Sequence, residues 1–85
     1  MWRSNPPEPR VAVCATQLSM IKDETVVLVQ PDGTEHRHHY AVSNVYTING
    51  VPYVDILHES EFWGLRLVGR YAEPSRWPAA SVWLE

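Results

Sequence analysis

Apolar and polar side chains alternate along the middle of this 85-residue chain in two places. The first is the β-branched run "TVVLVQ" at residues 25–30, which is followed by "PDG" and then by "EHRHHYAV" at residues 35–42. Proline presets φ and glycine accepts positive φ, so "PDG" is typical of a tight turn. The pattern predicts a β-hairpin, with "EHRHHY" on its second strand.

The second alternating region is "VYTI" and "VPYVDIL", which flank Asn49 and Gly50. An Asn-Gly pair between two apolar runs is typical of a type I′ turn, and a two-residue turn fixes the register of the strands. We expect Tyr46 to lie opposite Tyr53. Pro52 cannot donate a backbone hydrogen bond, so its strand should have a local edge or a bulge.

The flanking segments are less regular. The stretch "VAVCATQLSMIKDE" at residues 11–24 mixes strand and helix spacing, and we predict a short helix or helical turn at about 13–21. "HESE" at 58–61 is predicted as a polar turn and "FWGLRLVGRY" at 62–71 as a strand bent at its glycines. "AEPSRWPAASVW" is predicted as an irregular tail that wraps the sheet, with one more short strand at Ala80–Trp83.

These elements amount to about five strands, which is typical of a mainly β protein. We expect a small five-stranded antiparallel barrel or a strongly curved sheet with a short N-terminal helix. The length permits one domain. Residues 1–10, which contain three prolines, are predicted to be a flexible arm, and residues 11–85 to be a single small β domain.

Composition narrows the class of protein. A net charge of −3 disfavours nucleic acid as the direct partner, because phosphate neutralisation provides most of the affinity of such binders. The single cysteine, Cys14, excludes an intramolecular disulfide and every multi-cysteine zinc module. The N-terminus has no apolar signal-peptide core, and no apolar run is long enough to span a membrane. We therefore expect a cytoplasmic protein with no membrane partner.

From Thr25 onward the chain resembles an Sm-like or SH3-like small barrel, and faintly the Rof family of Rho-binding antitermination proteins. The shared stretches are "VVLVQPDG", "YVDIL" and "LRL" at Leu65–Leu67. The resemblance implies a five-stranded barrel preceded by a short helix, and a partner in the transcription machinery. The segment "EPRVAVCATQLS" departs from the acidic, cysteine-containing N-terminal segment of that family. We transfer no functional residue from the family.

Three of the four histidines lie in "EHRHHY". On a regular strand His36 and His38 share a face with Tyr40, whereas His39 points away with its odd-numbered neighbours. We predict that His36, His38 and His39 form a solvent-facing surface that responds to pH, since histidine ordinarily titrates near pH 6.5. Like-charge repulsion from Arg37 would oppose their protonation.

A metal site is the alternative interpretation of these histidines. His36 and His38 could chelate a metal ion, with a third ligand from His58, Asp55 or Glu59. A closed structural zinc site needs four protein ligands, and this strand offers two on one face. We therefore predict no metal and no cofactor.

Arginines and aromatic residues are interleaved toward the C-terminus, and this pattern has three interpretations. Protein-interface hot spots favour Trp, Tyr and Arg. Single-stranded nucleic acid is bound by basic residues with stacking aromatics. Arginine stems can also simply cover the aromatics that close a barrel. We predict a partner-binding surface at Trp63, Arg66, Arg70, Tyr71 and Trp77.

The sequence offers little for catalysis. Cys14 lacks the neighbours of a nucleophilic cysteine, and free cysteines are mostly buried as small hydrophobes. Asp55, Glu59 and Glu61 could contribute to a paired-carboxylate site, but a solvent-exposed turn accounts better for these acidic residues. No phosphate-binding glycine loop or nucleophile elbow is present. We expect a protein that is not an enzyme.

We expect instead a small binding module that docks on a larger protein to regulate or inhibit it, in transcription if the resemblance holds. A phage or mobile-element inhibitor, such as an anti-CRISPR type protein, fits equally well. A histidine-based metal-binding protein is the alternative from another class. The edge at Pro52 and the aromatic tail also predict a homodimer.

Overall fold

The computed structural model describes residues 13–18 and 20–85. The predicted arm at 1–10 lies outside the described residues. The strands are β1 (Thr25–Val29), β2 (Glu35–Ala41), β3 (Tyr46–Ile48), β4 (Val51–His58), β5 (Ser75–Pro78) and β6 (Val82–Leu84). One α-helix, α1 (Glu59–Val68), and two 3-10 turns, Ala15–Gln17 and Ala79–Ser81, complete the described part of the chain.

The six strand segments form five antiparallel strands. Both β3 and β5 pair with Tyr53, and both β2 and β5 pair with Ile56. A strand has only two edges, so β2 and β3 follow each other along one edge of β4, while β5 occupies the other. At the junction of β2 and β3, the Val42 N–H donates to the Asp55 carbonyl at 2.8 Å, which continues the hydrogen-bond ladder along β4. The order is β5, β4, the bent β2–β3 strand, β1 and β6, and the mainly β fold is confirmed as a curled half-barrel.

The sheet curls because its two outer strands are consecutive in the chain. β5 pairs only with β4, and β6 pairs with β1 at the far side of the sheet. Only the 3-10 turn Ala79–Ser81 lies between them. A connection this short can join opposite edges only when the sheet bends round on itself.

The inner face of the curl holds the main core. Val26, Val54 and Val82 are fully buried there, together with Ala15, Ile21, Leu28, Ala41, Ile56 and Ala79. Ile21 lies outside the regular elements, and Asn44 Oδ1 fixes its segment by accepting from the N–H groups of Ile21 and Lys22 at 3.0 and 2.9 Å. The predicted helix at 13–21 is therefore reduced to the three-residue turn Ala15–Gln17.

The predicted strand at 62–71 is wrong, because residues 59–68 form α1 and "HESE" is its first turn. The helix begins at a His58 cap and ends at Gly69, whose φ of 71° is the left-handed conformation typical of a helix end. Phe62 is buried and stacks on Tyr40 of β2, with ring centroids 4.0 Å apart. The strand-like alternation of Trp63, Leu65 and Leu67 misled the prediction, since all three are exposed on the helix.

The hairpin predictions are confirmed in register. Ile48 pairs with Val51 and Tyr46 with Tyr53 across the Asn-Gly turn, where Asn49 and Gly50 both have positive φ. The Tyr46 and Tyr53 rings lie 6.2 Å apart. The "PDG" turn joins β1 to β2 as expected, and Gln30 N–H donates to the Thr34 carbonyl at 2.8 Å.

The β1–β2 pair contains a bulge that the sequence did not reveal. Val26 pairs with His39 and Leu28 with His36, so two residues of β2, Arg37 and His38, oppose the single Val27 of β1. His38 has a φ of 69°, in the left-handed region that residues other than glycine rarely adopt. The bulge therefore changes which histidines share a face.

The bulge predicts a specific order of stability at position 38. We expect His38→Gly to be neutral or to stabilise the fold by up to about 1 kcal/mol, because glycine adopts positive φ without strain. We expect His38→Val to destabilise by about 1–2 kcal/mol, since a β-branched residue resists this backbone. Urea unfolding of the two variants measures the difference. Equal stability of the two would contradict the strained geometry.

Candidate functional site

A cavity of about 270 Å³ lies at one end of the inner face and opens to solvent. Its apolar wall is formed by Leu28, Ile56 and Trp77, which belong to three different strands. Its polar wall consists of Gln30, His36, His39, His58, Glu61 and Ser75. The interior of the curl is thus apolar where the valines pack and histidine-rich at this open end.

The bulge brings two histidines of β2 into this cavity. His36 and His39 pair with Leu28 and Val26, which both point into the core, so these two histidines share the inner face. The prediction that His36 and His38 share a face is therefore wrong. His38 points outward, and its Nδ1 lies 3.5 Å from Glu59 Oε2 at the start of α1. On a regular strand His36 and His38 would share a face, as predicted. The extra residue in β2 shifts the alternation by one, so that His36 and His39 share a face instead.

The histidines contact one another and their neighbours. The His39 and His58 rings meet edge to face, with centroids 5.2 Å apart. His36 Nε2 lies 2.8 Å from Gln30 Oε1, so Nε2 carries the proton that it donates to this acceptor. The Trp77 ring lies 6.3 Å from the His36 ring across the cavity.

His39 is the most perturbed of these groups. Burial lowers its pKa, and the nearby His58, His36 and His38 lower it further by charge repulsion, while the Arg37 backbone acts in the opposite direction. Its Nδ1 atom is buried and makes no hydrogen bond of good geometry with the described residues. His39 therefore favours the neutral form, and the stability it contributes falls as the pH drops through its unfolded pKa of about 6.5.

Arg37 is not the charge that lowers the pKa of His39. Its guanidinium pairs with Glu35 at 2.9 Å and with Glu85 at 3.3 Å. The predicted repulsion from Arg37 is thus replaced by burial and by repulsion among the histidines themselves.

His58 belongs to both the cavity and the helix. Its Nδ1 accepts from the Ser60 N–H at 3.2 Å and lies 3.1 Å from Ser60 Oγ, while its own backbone N–H donates to Glu61 Oε1 at 3.4 Å. This is a capping box with histidine in the place of the usual serine or threonine. Because the lone pair of Nδ1 is occupied by a donor, neutral His58 carries its proton on Nε2.

These tautomers bear on the metal interpretation. A metal-bound histidine normally donates its other ring N–H to an acceptor. His36 fits this pattern, because its Nε2–H donates to Gln30 and its Nδ1 keeps a lone pair, whereas His58 Nδ1 already accepts from the Ser60 N–H. Among residues 13–18 and 20–85, no group of three or more His, Cys, Asp or Glu side chains is arranged to hold a metal ion.

The structure does not bring the three candidate carboxylates together. Asp55 accepts from the Tyr46 hydroxyl at 2.5 Å on the outer face, and this carboxylate raises the pKa of Tyr46. Glu59 faces His38, and Glu61 lines the cavity. Each therefore serves a different local contact.

Cys14 is buried, as free cysteines usually are. Its Sγ lies 3.4 Å from the Ala79 carbonyl oxygen and accepts from Thr16 Oγ1 at 3.4 Å. The backbone around it bridges to Trp83 of β6, so the residue belongs to the closure of the sheet.

The predicted partner-binding residues divide between two places. Trp63 and Arg66 lie on α1, Arg70 lies beside Gly64 of that helix, and Tyr71 follows the helix end. Trp77 lies on β5 in the wall of the histidine cavity and does not belong with the other four.

The helix presents apolar side chains to solvent. We call Trp63, Leu67, Val68 and Tyr71, with Arg66 and Arg70, the helix surface. Trp63 is 44% exposed, whereas Leu67, Val68 and Tyr71 are 74%, 67% and 75% exposed. Arg66 makes an ion pair with Asp23 at 3.1 Å and its guanidinium lies 5.3 Å from the Phe62 ring centroid. The helix surface thus combines exposed apolar groups with arginine.

Comparisons with protein families, with characterised proteins and with solved structures find no match for this chain. In the part of the chain that the structure describes, no helix has the length and apolar character needed to cross a membrane.

The sequence suggested His58 only as a third metal ligand and Glu61 only as a member of a carboxylate site, and it did not place either one in a cavity with His36 and His39. The available signal was the pattern His-x-x-Glu at 58–61, which resembles a capping box and precedes an apolar run. Ser75 and Trp77 could not be placed from the sequence, because β5 was taken for an irregular tail.

Proposed function

We propose that this chain is a small, non-enzymatic binding module that docks through its helix surface on a larger protein and thereby regulates or inhibits it. The observation that carries the proposal is the exposure of Leu67, Val68 and Tyr71 beside two arginines. Exposed apolar patches on a small soluble domain commonly mark interaction sites. Trp, Tyr and Arg are also the residues that dominate binding energy at protein interfaces.

The charge of the helix surface suggests the chemistry of the partner. Of its cations, Arg66 lies in the last turn of α1 and Arg70 lies just beyond the helix end, whereas the acidic Glu59 and Glu61 lie in the first turn. An apolar partner surface rimmed by carboxylates would complement this arrangement. Single-stranded nucleic acid is a weaker candidate, since the chain carries a net charge of −3 and Arg66 is already paired with Asp23.

The cellular role follows only as a proposal. The resemblance to small barrels of the Rof family suggests a target in cytoplasmic transcription, and an inhibitor carried by a phage or mobile element would use the same kind of surface. Self-association through the strand edge at Pro52 and the aromatic tail remains a prediction. A histidine-based metal function has less support, because no group of three or more candidate ligands among the described residues is arranged to hold a metal ion.

Paired variants test the docking surface. Leu67→Ser and Tyr71→Ser remove exposed apolar groups, and Val51→Ser removes a control group that is 45% exposed at the β3–β4 turn. Proteins captured by the wild type from lysate of its source cells are identified, purified and titrated by calorimetry. We expect both helix variants to weaken binding by about 30-fold, the loss of a hot spot of about 2 kcal/mol. Val51→Ser should bind as the wild type does.

Two results would contradict the proposal. Equal affinity of the wild type and both helix variants would exclude the helix surface as the binding site. Capture of nucleic acid alone, with salt-dependent binding, would replace the protein partner by a nucleic acid.

A further inference from the structure

His58 joins the histidine cavity to the helix that carries the proposed docking surface. It is the last residue of β4 and the cap of α1, and its ring also contacts His39. A change of charge on this one imidazole therefore acts on the first turn of the helix. Helix α1 packs against β2 and β4, and Phe62 provides its buried contact.

The cap depends on neutral His58. Nδ1 accepts the Ser60 N–H through its lone pair, and protonation would place a hydrogen there instead. Two donors would then face each other, and the cap would be lost. The cation would also lie at the positive end of the helix dipole, where positive charge is unfavourable.

The charges around His58 decide whether its protonation destabilises the first turn of α1. From β2, His39 lies against the His58 ring and His36 lines the same cavity, so protonation of either adds repulsion. From α1, Glu61 attracts a cationic His58, although its carboxylate is bound to the His58 backbone N–H. β1 and β5 contribute only the uncharged Gln30, Ser75 and Trp77, with Leu28, to this cavity.

The ion pair of His38 and Glu59 would stabilise the first turn of α1 in acid and so opposes the uncapping. His38 and Glu59 would attract each other more strongly in acid, at their separation of 3.5 Å. Their side chains are 71% and 43% exposed, so solvent screens this gain. The loss of the cap and the repulsion within the cavity therefore outweigh it.

We propose that protonation of His58 uncaps α1 and loosens its first turn from the sheet, so that mild acid weakens docking by the helix surface. The effect on docking rests on the function proposed above, whereas the uncapping is a property of this chain alone. The proposal makes the fold a proton-sensitive binding module.

Amide exchange measured by NMR tests the uncapping without a partner. The amides at position 60 and at positions 63–65 are compared at about pH 7.5 and about pH 5.5, on either side of the ordinary histidine pKa. After correction for intrinsic rates, we expect their protection in the wild type to fall about fivefold in acid, the loss expected for a helix cap.

His58→Asn is the matched variant, because asparagine is a preferred cap that does not titrate in this range. Its first turn should keep its protection in acid. His39→Gln should retain the wild-type loss. Three results would overturn the proposal. They are unchanged amide protection of the wild type in acid, an equal loss of protection in His58→Asn, and no loss of protection in His39→Gln.

Binding at the two pH values tests the link to docking. With the partner captured by the wild type, the wild type should bind more weakly in acid by a factor similar to the lost amide protection, and His58→Asn should bind equally well at both pH values. Unchanged wild-type affinity in acid, together with measured uncapping, would overturn the regulation while leaving the docking surface intact. Failure of the Leu67 and Tyr71 variants to affect binding would instead reject the docking surface.

Discussion

The Phe62→Ala variant is expected to lose about 4 kcal/mol of unfolding free energy, as is typical of a buried phenylalanine truncated to alanine. Phe62 is 3% exposed and stacks on Tyr40 at 4.0 Å with ring planes 2° apart. It is the buried residue by which α1 holds the outer face of the sheet. A domain of this size has only about 4–13 kcal/mol of stability, so the variant should lose about a third of it or more.

Thermal melts measure this loss, with Leu67→Ala as the control on the same helix. Leu67 is 74% exposed, so its truncation should change stability by no more than about 0.5 kcal/mol. If Phe62→Ala and Leu67→Ala melted at the same temperature, α1 would not be packed through Phe62.

The Ile21→Ala variant should lose about 3 kcal/mol, within the range for a buried isoleucine. Ile21 is 1% exposed although it lies outside every strand and helix, and it belongs to the same core cluster as Val26 and Val82. Two hydrogen bonds to Asn44 hold its segment in place, so the neighbours can collapse only partly into the cavity left behind.

Met20 is the adjacent control, since it is 79% exposed. Urea unfolding of Met20→Ala should give a midpoint close to that of the wild type. A loss for Ile21→Ala no larger than that for Met20→Ala would mean that the segment before β1 does not contribute to the core.

The hairpins could be predicted because short-range chemistry determines them. Asn49 and Gly50 both suit the positive φ of their turn, and the apolar alternation on either side agrees with that register. The nature of α1 could not be predicted from the same rule. Its exposed Trp63 and Leu67 produce a strand-like alternation, whereas the residue that determines its packing, Phe62, depends on a contact with a distant strand.

The histidine site shows a different limit. A single extra residue in β2 moves His39 into the cavity with His36 and turns His38 outward. A bulge without glycine leaves no clear mark in the sequence, because its positive φ falls on an ordinary residue, His38. The histidines of "EHRHHY" were evident from the sequence, but placing His58 and Glu61 together beside them in one cavity depended on recognising the helix cap.

The pairing of β1 with β6 has a consequence for how the molecule is made. Val26 lies opposite Leu84, so the two strands come from nearly opposite ends of the described chain. Contacts this distant in sequence close a long loop and form slowly. Until they form, the free edge of β1 can pair with a strand from another molecule. Refolding at high concentration should therefore compete with aggregation, and during synthesis this edge stays uncovered until β6 has also left the ribosome.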